Sequence, residues 1–368
     1  MPQIQIMIVD DSVVVRKVLM NVLSSDPDLA IAGWASNGRL ALAKLQTLRP
    51  DIILLDIEMP EMNGLETIPG IRKNLPRTPI IMFSTLTERG AEATLDALAL
   101  GASDYLAKPR DESMAATTEA IRRDLVPKIK ALCHFPAGVP IAATGAAKSP
   151  ATFPARPPEI RLHRPLLRSA LLKIVTIGVS TGGPDALAKL LPCFPANFPL
   201  PIVIAQHMPP IFTTLLAKRL ASNCALPVRE CQPGELLAPS CVWIAPGDYH
   251  MIVKEEDRRV RLETHQGPRE NFCRPSVDVL FRSVAAVYGA NSLGVILTGM
   301  GQDGLKGCEA LCAAGSSVIV QDEASSVVWG MPGFVARAGL AEKVLPLDRI
   351  GGEIVRRVAS QPSLQVVR

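Results

Sequence analysis

Apolar and polar positions along the chain alternate with two periods, one typical of buried strands and one of amphipathic helices. Between residues 4 and 132, each short apolar run is followed by a stretch with apolar residues every three or four positions. The pattern predicts strands at 4–9, 30–34, 51–55, 79–83 and 103–106, and helices at 13–24, 37–47, 64–73, 91–99 and 112–132. Strands that alternate with helices indicate a doubly wound parallel sheet.

A second α/β pattern begins at residue 172. It predicts strands at 172–177, 202–205, 293–298 and 316–320, a hairpin-like region at 240–263, and helices at 275–288, 304–314 and 347–359. Seven prolines are spread between 134 and 169, where they block regular structure and indicate a semi-extended linker. We therefore expect an α/β protein with one domain at 1–132, a linker at 133–169 and a second domain at 170–368.

Composition narrows the functional classes. Aromatic residues make up 4% of the 368 residues and the formal charge is +4, with no run of five basic residues, so we expect no nucleic-acid partner. No run of 18 apolar residues is free of charges and turn formers, so we expect no membrane insertion. The eight cysteines include no C-x-x-C pair. The strand-like run at 4–9 has no basic n-region or small-residue cleavage site ahead of it, so we expect no secretion. We expect a cytoplasmic protein with reduced thiols.

Acidic residues follow the predicted strands of the first domain. Asp10 and Asp11 close the first strand, Asp56 closes the third, and Lys108 follows the fifth. Parallel sheets place their ligands at this edge, and clustered carboxylates suit Mg²⁺, which would screen Asp56 for attack on a phosphoryl group. Ser84, at the end of the fourth strand, can donate a hydroxyl to the same phosphoryl oxygens. Any one of these acids could instead be a helix cap. Helix capping is a weaker explanation for polar residues that follow four different strands.

These residues resemble the receiver domain of bacterial response regulators over positions 4 to about 125. The resemblance rests on Val9-Asp10-Asp11-Ser12, on residues 55–64 and on residues 101–109. It implies a flavodoxin-like fold, with Asp56 as the phosphate acceptor, and Asp11, Asp56 and the Glu58 carbonyl as Mg²⁺ ligands assisted by Asp10. It also implies that Ser84 and Tyr105 form the switch pair.

The second domain offers a candidate nucleophile, Ser180. The strand 172–177 runs into a glycine-rich turn at 178–184, and a helical pattern follows, so the serine is placed at the end of a sheet beside a helix N-terminus. Helix capping by Ser180 is the alternative. A phosphate-binding loop would need Gly-Lys-Ser/Thr where Gly183-Pro184-Asp185 stands, and a dinucleotide site would need an acid where His207 closes the next strand.

His207 is the only one of five histidines that closes an apolar strand of parallel type, which makes it the candidate base for Ser180. A solvent-exposed loop histidine is the alternative. Asp303 is the first acid after the strand at 293–298 and is the candidate that orients the histidine, although a turn aspartate before the next helix is the alternative. The order Ser, His, Asp differs from the α/β-hydrolase order. We expect the oxyanion donors to be backbone N–H groups near Thr181 and Met300, and no cofactor in this domain.

Residues 172–345 resemble the catalytic domain of the CheB methylesterase family. The resemblance rests on residues 178–183, 206–209, 245–247, 274–278, 298–304 and 329–332. It implies a Rossmann-like three-layer domain that hydrolyses glutamate γ-methyl esters on a chemoreceptor, a CheA-type histidine kinase as phosphodonor, and glutamine deamidation as a second reaction. A receiver that covers the Ser180 cleft until Asp56 is phosphorylated would explain the domain order. The alternative function is a catalytically silent adaptor that signals by binding a partner. A DNA-binding regulator would need a C-terminal helix-turn-helix, and the pattern predicts an α/β domain there instead.

Overall fold

The structure is a computed structural model that describes residues 2–84, 87–108, 114–133, 162–163 and 171–361. Most of the predicted linker and the end of the C-terminal tail lie outside these residues. The described residues form two parallel sheets and one small antiparallel sheet, which belongs to the second half of the chain. Among the described residues, no helix combines the length and apolar character needed to cross a bilayer.

The first sheet has five parallel strands in the order β2-β1-β3-β4-β5. The strands are β1 (Ile4–Val9), β2 (Leu29–Ala35), β3 (Ile52–Asp56), β4 (Ile80–Ser84) and β5 (Asp104–Ala107). The helices are α1 (Val13–Ser24), α2 (Gly38–Lys44), α3 (Gly64–Asn74), α4 (Glu88–Ala99) and α5 (Met114–Leu132). β3 is buried along its whole length because helices cover both faces of the sheet, which explains its continuous apolar run. The predicted doubly wound architecture is confirmed.

The second sheet has seven parallel strands in the order β15-β14-β13-β6-β7-β10-β8. They are β6 (Ile174–Val179), β7 (Ile202–Gln206), β8 (Val228–Glu230), β10 (Val242–Ile244), β13 (Ser292–Ile296), β14 (Ser317–Gln321) and β15 (Lys343–Leu345). The helices are α6 (Gly183–Leu190), α7 (Phe212–Ala221), α8 (Val277–Tyr288), α9 (Leu305–Ala313), α10 (Met331–Arg337) and α11 (Leu347–Ala359).

The hairpin-like prediction for 240–263 is wrong at its start. Val242–Ile244 forms β10 inside the parallel sheet, where it pairs with β7 and β8. The hairpin is β11 (His250–Glu256) with β12 (Arg259–His265), and β9 (Glu235–Leu236) adds a third antiparallel strand. A three-residue apolar run is too short for its period to show which sheet it joins.

Candidate functional site

Three carboxylates meet at the carboxyl edge of the first sheet. Asp10, Asp11 and Asp56 each place an oxygen within 4.8 Å of the other two. Asp10 and Asp56 are buried, and Asp11 is exposed. Oδ2 of Asp10 is buried and accepts no well-aligned hydrogen bond from the described residues. Its partner there is the ammonium of Lys108 at 3.3 Å, so the oxygen keeps lone pairs for a cation. The donor set therefore fits a hard divalent ion such as Mg²⁺.

Lys108 holds the two buried acids together. Its Nζ lies 2.8 Å from Oδ2 of Asp56 and 3.3 Å from Oδ2 of Asp10. Burial raises the pKa of Asp56 to about 6, although the hydrogen bond from Lys108 opposes this rise. Burial also disfavours the charged form of Lys108, but its hydrogen bonds to Asp56 and Asp10 and the charges of these two acids together outweigh burial, so the pKa of Lys108 is raised. The lysine thus supplies a fixed positive charge beside the candidate phosphate acceptor.

Three further residues were predicted to take part in this site: Glu58, Ser84 and Tyr105. Glu58 is exposed in the loop after β3, two positions from Asp56. Ser84 is buried at the end of β4, and its hydroxyl donates to the carbonyl of Gly90 at 3.1 Å. Tyr105 is stacked on Phe212 of the second domain, with 4.8 Å between ring centroids and 9° between ring planes.

Ser180 lies in the turn between β6 and α6. The turn depends on two glycines that pack closely against neighbouring side chains. Gly182 has φ of 76°, and a Cβ there would lie 2.6 Å from Val327 Cγ2. A Cβ on Gly183 would lie 2.0 Å from Oε1 of Gln206. These close approaches fix the serine at the sheet edge.

His207 and Asp303 are joined directly. Nε2 of His207 lies 2.7 Å from Oδ2 of Asp303, and because a carboxylate can only accept, this nitrogen carries the proton. Nδ1 is therefore the nitrogen left to act as a base. The backbone N–H of His207 donates to the carbonyl of Val179, the residue before Ser180, at 3.2 Å. The hydroxyl of Ser180 makes no hydrogen bond to the described residues.

Asp303 is held by the start of α8 rather than by its own turn. Its Oδ1 accepts from Ser276 Oγ at 2.8 Å and from Asn271 Nδ2 at 3.0 Å, and its Oδ2 accepts from the Val277 N–H at 2.7 Å. Burial disfavours the charged carboxylate, but the contact with His207 and these bonds keep the pKa of Asp303 well below its usual range. The partial positive charge of the helix N-terminus adds to this effect.

Cys273 occupies the other side of the imidazole. Its Sγ lies 3.5 Å from Nδ1 of His207. Burial opposes protonation of the ring, but Cys273 and Asp303 outweigh it and raise the pKa of His207 to about 10. These two neighbours therefore favour the protonated ring.

Four residues of the site carry no functional signal in the local sequence: Gln206, Asn271, Cys273 and Ser276. Gln206 Nε2 donates to the carbonyl of Ser180 at 3.0 Å and to that of His207 at 3.3 Å, which ties two strand ends together. A stretch at 274–278 was noticed only as part of a family pattern. Its one local signal was Ser276 ahead of an apolar helical run, which is typical of a helix N-cap.

The two expected oxyanion residues lie next to Ser180. A Cβ on Gly299 would stand 2.8 Å from Cβ of Ser180, so the loop that contains Met300 approaches the serine closely. Within the described part of the chain, the backbone N–H groups of Thr181 and Met300 donate to no protein acceptor. They are the kind of uncommitted donors that an oxyanion requires.

The first domain covers this site. Oγ1 of Thr181 donates to Oδ2 of Asp104 at 2.9 Å, and Asp104 also pairs with Lys128. A small cavity of about 30 Å³ remains beside the serine. It is lined by Leu98, Asp104, Tyr105, Lys128, Ser180, Thr181, Gly182, Pro184, Gln206 and His207.

Comparisons with known proteins agree for both halves of the chain. A family described as CheB methylesterase matches residues 175–354, and a response regulator receiver domain matches residues 6–118. A protein-glutamate methylesterase/protein-glutamine glutaminase of Trichodesmium erythraeum is 51% identical over 359 residues, which cover 97% of this chain and all of that protein. A protein of the same name from Nocardioides sp. is 50% identical over 372 residues, covering 99% of this chain and 98% of that one.

A solved structure is similar in fold to the second half of the chain. The Thermotoga maritima CheB methylesterase catalytic domain is 43% identical, with a TM-score of 0.50 over 50% of this chain and 98% of that chain. Fold and comparisons together define a response-regulator receiver domain coupled to a carboxylic ester hydrolase. The chain belongs to the CheB methylesterase family of chemotaxis enzymes.

Proposed function

We propose that this chain hydrolyses glutamate γ-methyl esters on a chemoreceptor through Ser180, His207 and Asp303, and that phosphorylation of Asp56 activates the reaction. The bond between His207 and Asp303, at the same sheet edge as Ser180, carries the proposal. Serine hydrolases combine a buried carboxylate with an imidazole that it orients and a nearby serine. Here the imidazole and the serine line the same cavity.

In the first half-reaction, Ser180 attacks the ester carbonyl while Nδ1 of His207 takes the hydroxyl proton. The negative charge on the carbonyl oxygen is met by the N–H groups of Thr181 and Met300. The tetrahedral intermediate collapses, and the proton from His207 leaves with methanol. Base catalysis contributes about 10²–10⁴-fold and each oxyanion donor about 10²–10³-fold.

Water then attacks the acyl-enzyme with His207 again as base, which releases the glutamate carboxylate and restores Ser180. A glutamine side chain presents the same acyl carbon with ammonia as the leaving group. We therefore infer that receptor glutamines are deamidated at the same site, in keeping with the glutaminase activity named for the two relatives.

We assign regulation to the first domain. A CheA-type histidine kinase would transfer its phosphoryl group to Asp56, with Mg²⁺ held by Asp11, Asp56 and the Glu58 carbonyl and assisted by Asp10. The cation would neutralise charge on the transferred group. Lys108 would bind the phosphoryl oxygens, and Ser84 would reorient with Tyr105. Movement of Tyr105 would break its stack with Phe212, and the neighbouring Asp104–Thr181 bond would follow.

The proposal includes the domain boundaries 1–132, 133–169 and 170–368, a cytoplasmic location, and no cofactor in the second domain. The test is release of labelled methanol from membranes that carry a methylated receptor, with and without acetyl phosphate. We expect release that increases with the phosphodonor and falls by at least about 10³-fold in Ser180→Ala.

The rival reading is an adaptor that signals by binding. It predicts that Ser180→Ala retains full signalling in a strain that lacks the native protein, and that the purified wild type releases no methanol. Correct folding of the variant can be checked by its thermal midpoint, since the hydroxyl of Ser180 makes no hydrogen bond to the described residues.

A further inference from the structure

Three loops beside the candidate site each expose a large apolar side chain. Ile211 is 42% exposed in the loop after His207, Tyr249 is 40% exposed before β11, and Phe272 is 91% exposed between β12 and α8. We call these three residues the apolar rim. Soluble proteins seldom concentrate exposed apolar side chains without a partner.

The three loops contact one another around the His207–Asp303 pair. A Cβ on Gly247 would stand 2.2 Å from the backbone nitrogen of Pro210, so the first two loops touch. The Asp248 N–H donates to the carbonyl of Arg274 at 3.1 Å, which joins the second loop to the third.

The third loop also touches the catalytic pair. Phe272 stands between Asn271, which bonds to Asp303, and Cys273, which contacts His207. The rim is therefore continuous with the catalytic site.

Two rim residues are held in an unfavourable backbone conformation. Ile211 has φ of 73° and Phe272 has φ of 64°. A β-branched or aromatic residue is rarely found at positive φ, and the exposed side chains gain little packing in return. Strain of this kind is characteristic of sites where the side chain is needed for function.

The rim continues the surface that the receiver covers. Ile211 directly precedes Phe212, on which Tyr105 stacks. Withdrawal of the receiver would uncover Phe212 beside Ile211 and widen the apolar surface toward Ser180.

A methyl ester side chain is small, so most of the binding energy for a protein substrate must come from contacts around the reacting group. We propose that the apolar rim binds aliphatic or aromatic side chains of the protein segment that bears the esterified glutamate. This inference rests on the proposed hydrolysis and adds the surface that recognises the protein substrate.

The test measures affinity in the full-length chain with Ser180→Ala, which retains the substrate, in the presence of acetyl phosphate and Mg²⁺. The probe is a methylated receptor fragment in solution. Phe272→Ala in this background should weaken binding by roughly tenfold, and Ile211→Ala should weaken it in the same direction. Leu236→Ala is the matched control, because Leu236 is 43% exposed but lies on β9, outside the three loops. Binding should be unchanged in this control.

The same substitutions in the active enzyme should raise KM for the methylated receptor, with the loss falling on KM rather than on kcat. Equal affinity for Phe272→Ala and its parent, or an equal loss in Leu236→Ala, would overturn the proposal. So would a dimer of the parent that dissociates in Phe272→Ala, because the rim would then join two copies of the chain. Failure of the wild type to release methanol would contradict the hydrolysis itself, whatever the binding shows.

Discussion

Thr181 donates a hydrogen bond from Oγ1 to Oδ2 of Asp104, which links the residue after the candidate nucleophile to the first residue of β5 in the receiver. Both side chains are buried, and Asp104 also pairs with Lys128. A charged acceptor in a buried hydrogen bond is among the stronger polar contacts in proteins. The bond holds the receiver against the turn that contains the candidate nucleophile.

Asp104→Asn should therefore raise hydrolysis by the unphosphorylated enzyme. The substitution keeps the shape of the side chain but removes its charge, and hydrogen bonds to charged groups contribute about 1.5–3 kcal/mol. A loss of this size would favour the undocked state by roughly tenfold or more. The measurement is methanol release without phosphodonor.

Asp96→Asn is the control for this experiment. It breaks the 2.7 Å ion pair between Asp96 and Arg219, which also joins the two domains but is solvent-exposed. Exposed pairs contribute about 0–1 kcal/mol, so the rate should change by a few-fold at most. Equal activation by both substitutions would show that Asp104–Thr181 has no special role in docking.

Asp56→Asn should abolish stimulation by a phosphodonor, because an amide cannot accept the phosphoryl group. The ratio of stimulated to unstimulated methanol release should fall to about 1, and chelation of Mg²⁺ should have the same effect on the wild type. Asp51→Asn is the control, since Asp51 is an exposed carboxylate just before the opposite end of β3. Stimulation that persists in Asp56→Asn would place the phosphate acceptor elsewhere.

Strand ends were predictable because long apolar runs identify buried parallel strands, and the carboxyl ends of such strands share one edge. The apolar runs place Asp56, Ser180 and His207 at such edges. They could not show that α8 reaches across to bind Asp303, because the bond from Ser276 joins residues that are 27 positions apart. Local sequence also carries no signal for the contact of Thr181 with Asp104, which exists only once two domains dock. Three-residue strands such as β8 and β15 are too short for a period to be recognised.

Gly182→Ala should lower both stability and activity. Alanine would have to adopt φ of 76°, and its Cβ would overlap Val327. Left-handed backbone strain costs about 1–2 kcal/mol and overpacking about 1–3 kcal/mol, and the displaced turn would move Ser180. Gly352→Ala in α11 is the control: its Cβ would have no neighbour within 4 Å, so the free energy of unfolding should rise by about 0.5–1 kcal/mol. The comparison uses denaturant unfolding and methanol release, and equal stability of Gly182→Ala and wild type would contradict the expectation.

Cys273→Ala should shift the dependence of hydrolysis on pH toward lower values. A base must be unprotonated to accept the hydroxyl proton of Ser180, and the pKa of His207 is raised to about 10 against the burial of its ring. Hydrolysis by the wild type should therefore increase as pH rises from neutral into the alkaline range. Cys273 is a principal cause of the raised pKa, and its sulfur also lies against Nδ1, the nitrogen that Ser180 must reach. Removing the sulfur should move the rising limb of kcat/KM to lower pH and increase the rate at pH 7.

Cys193→Ala, which removes an exposed thiol, serves as the control and should leave the profile in place. An NMR titration of the His207 ring in both variants gives the pKa directly. If Cys273→Ala left both the ring titration and the rate profile where they are in the wild type, the sulfur would have no electrostatic role at this site. A shift confined to the ring titration would instead mean that a step other than proton abstraction limits the rate.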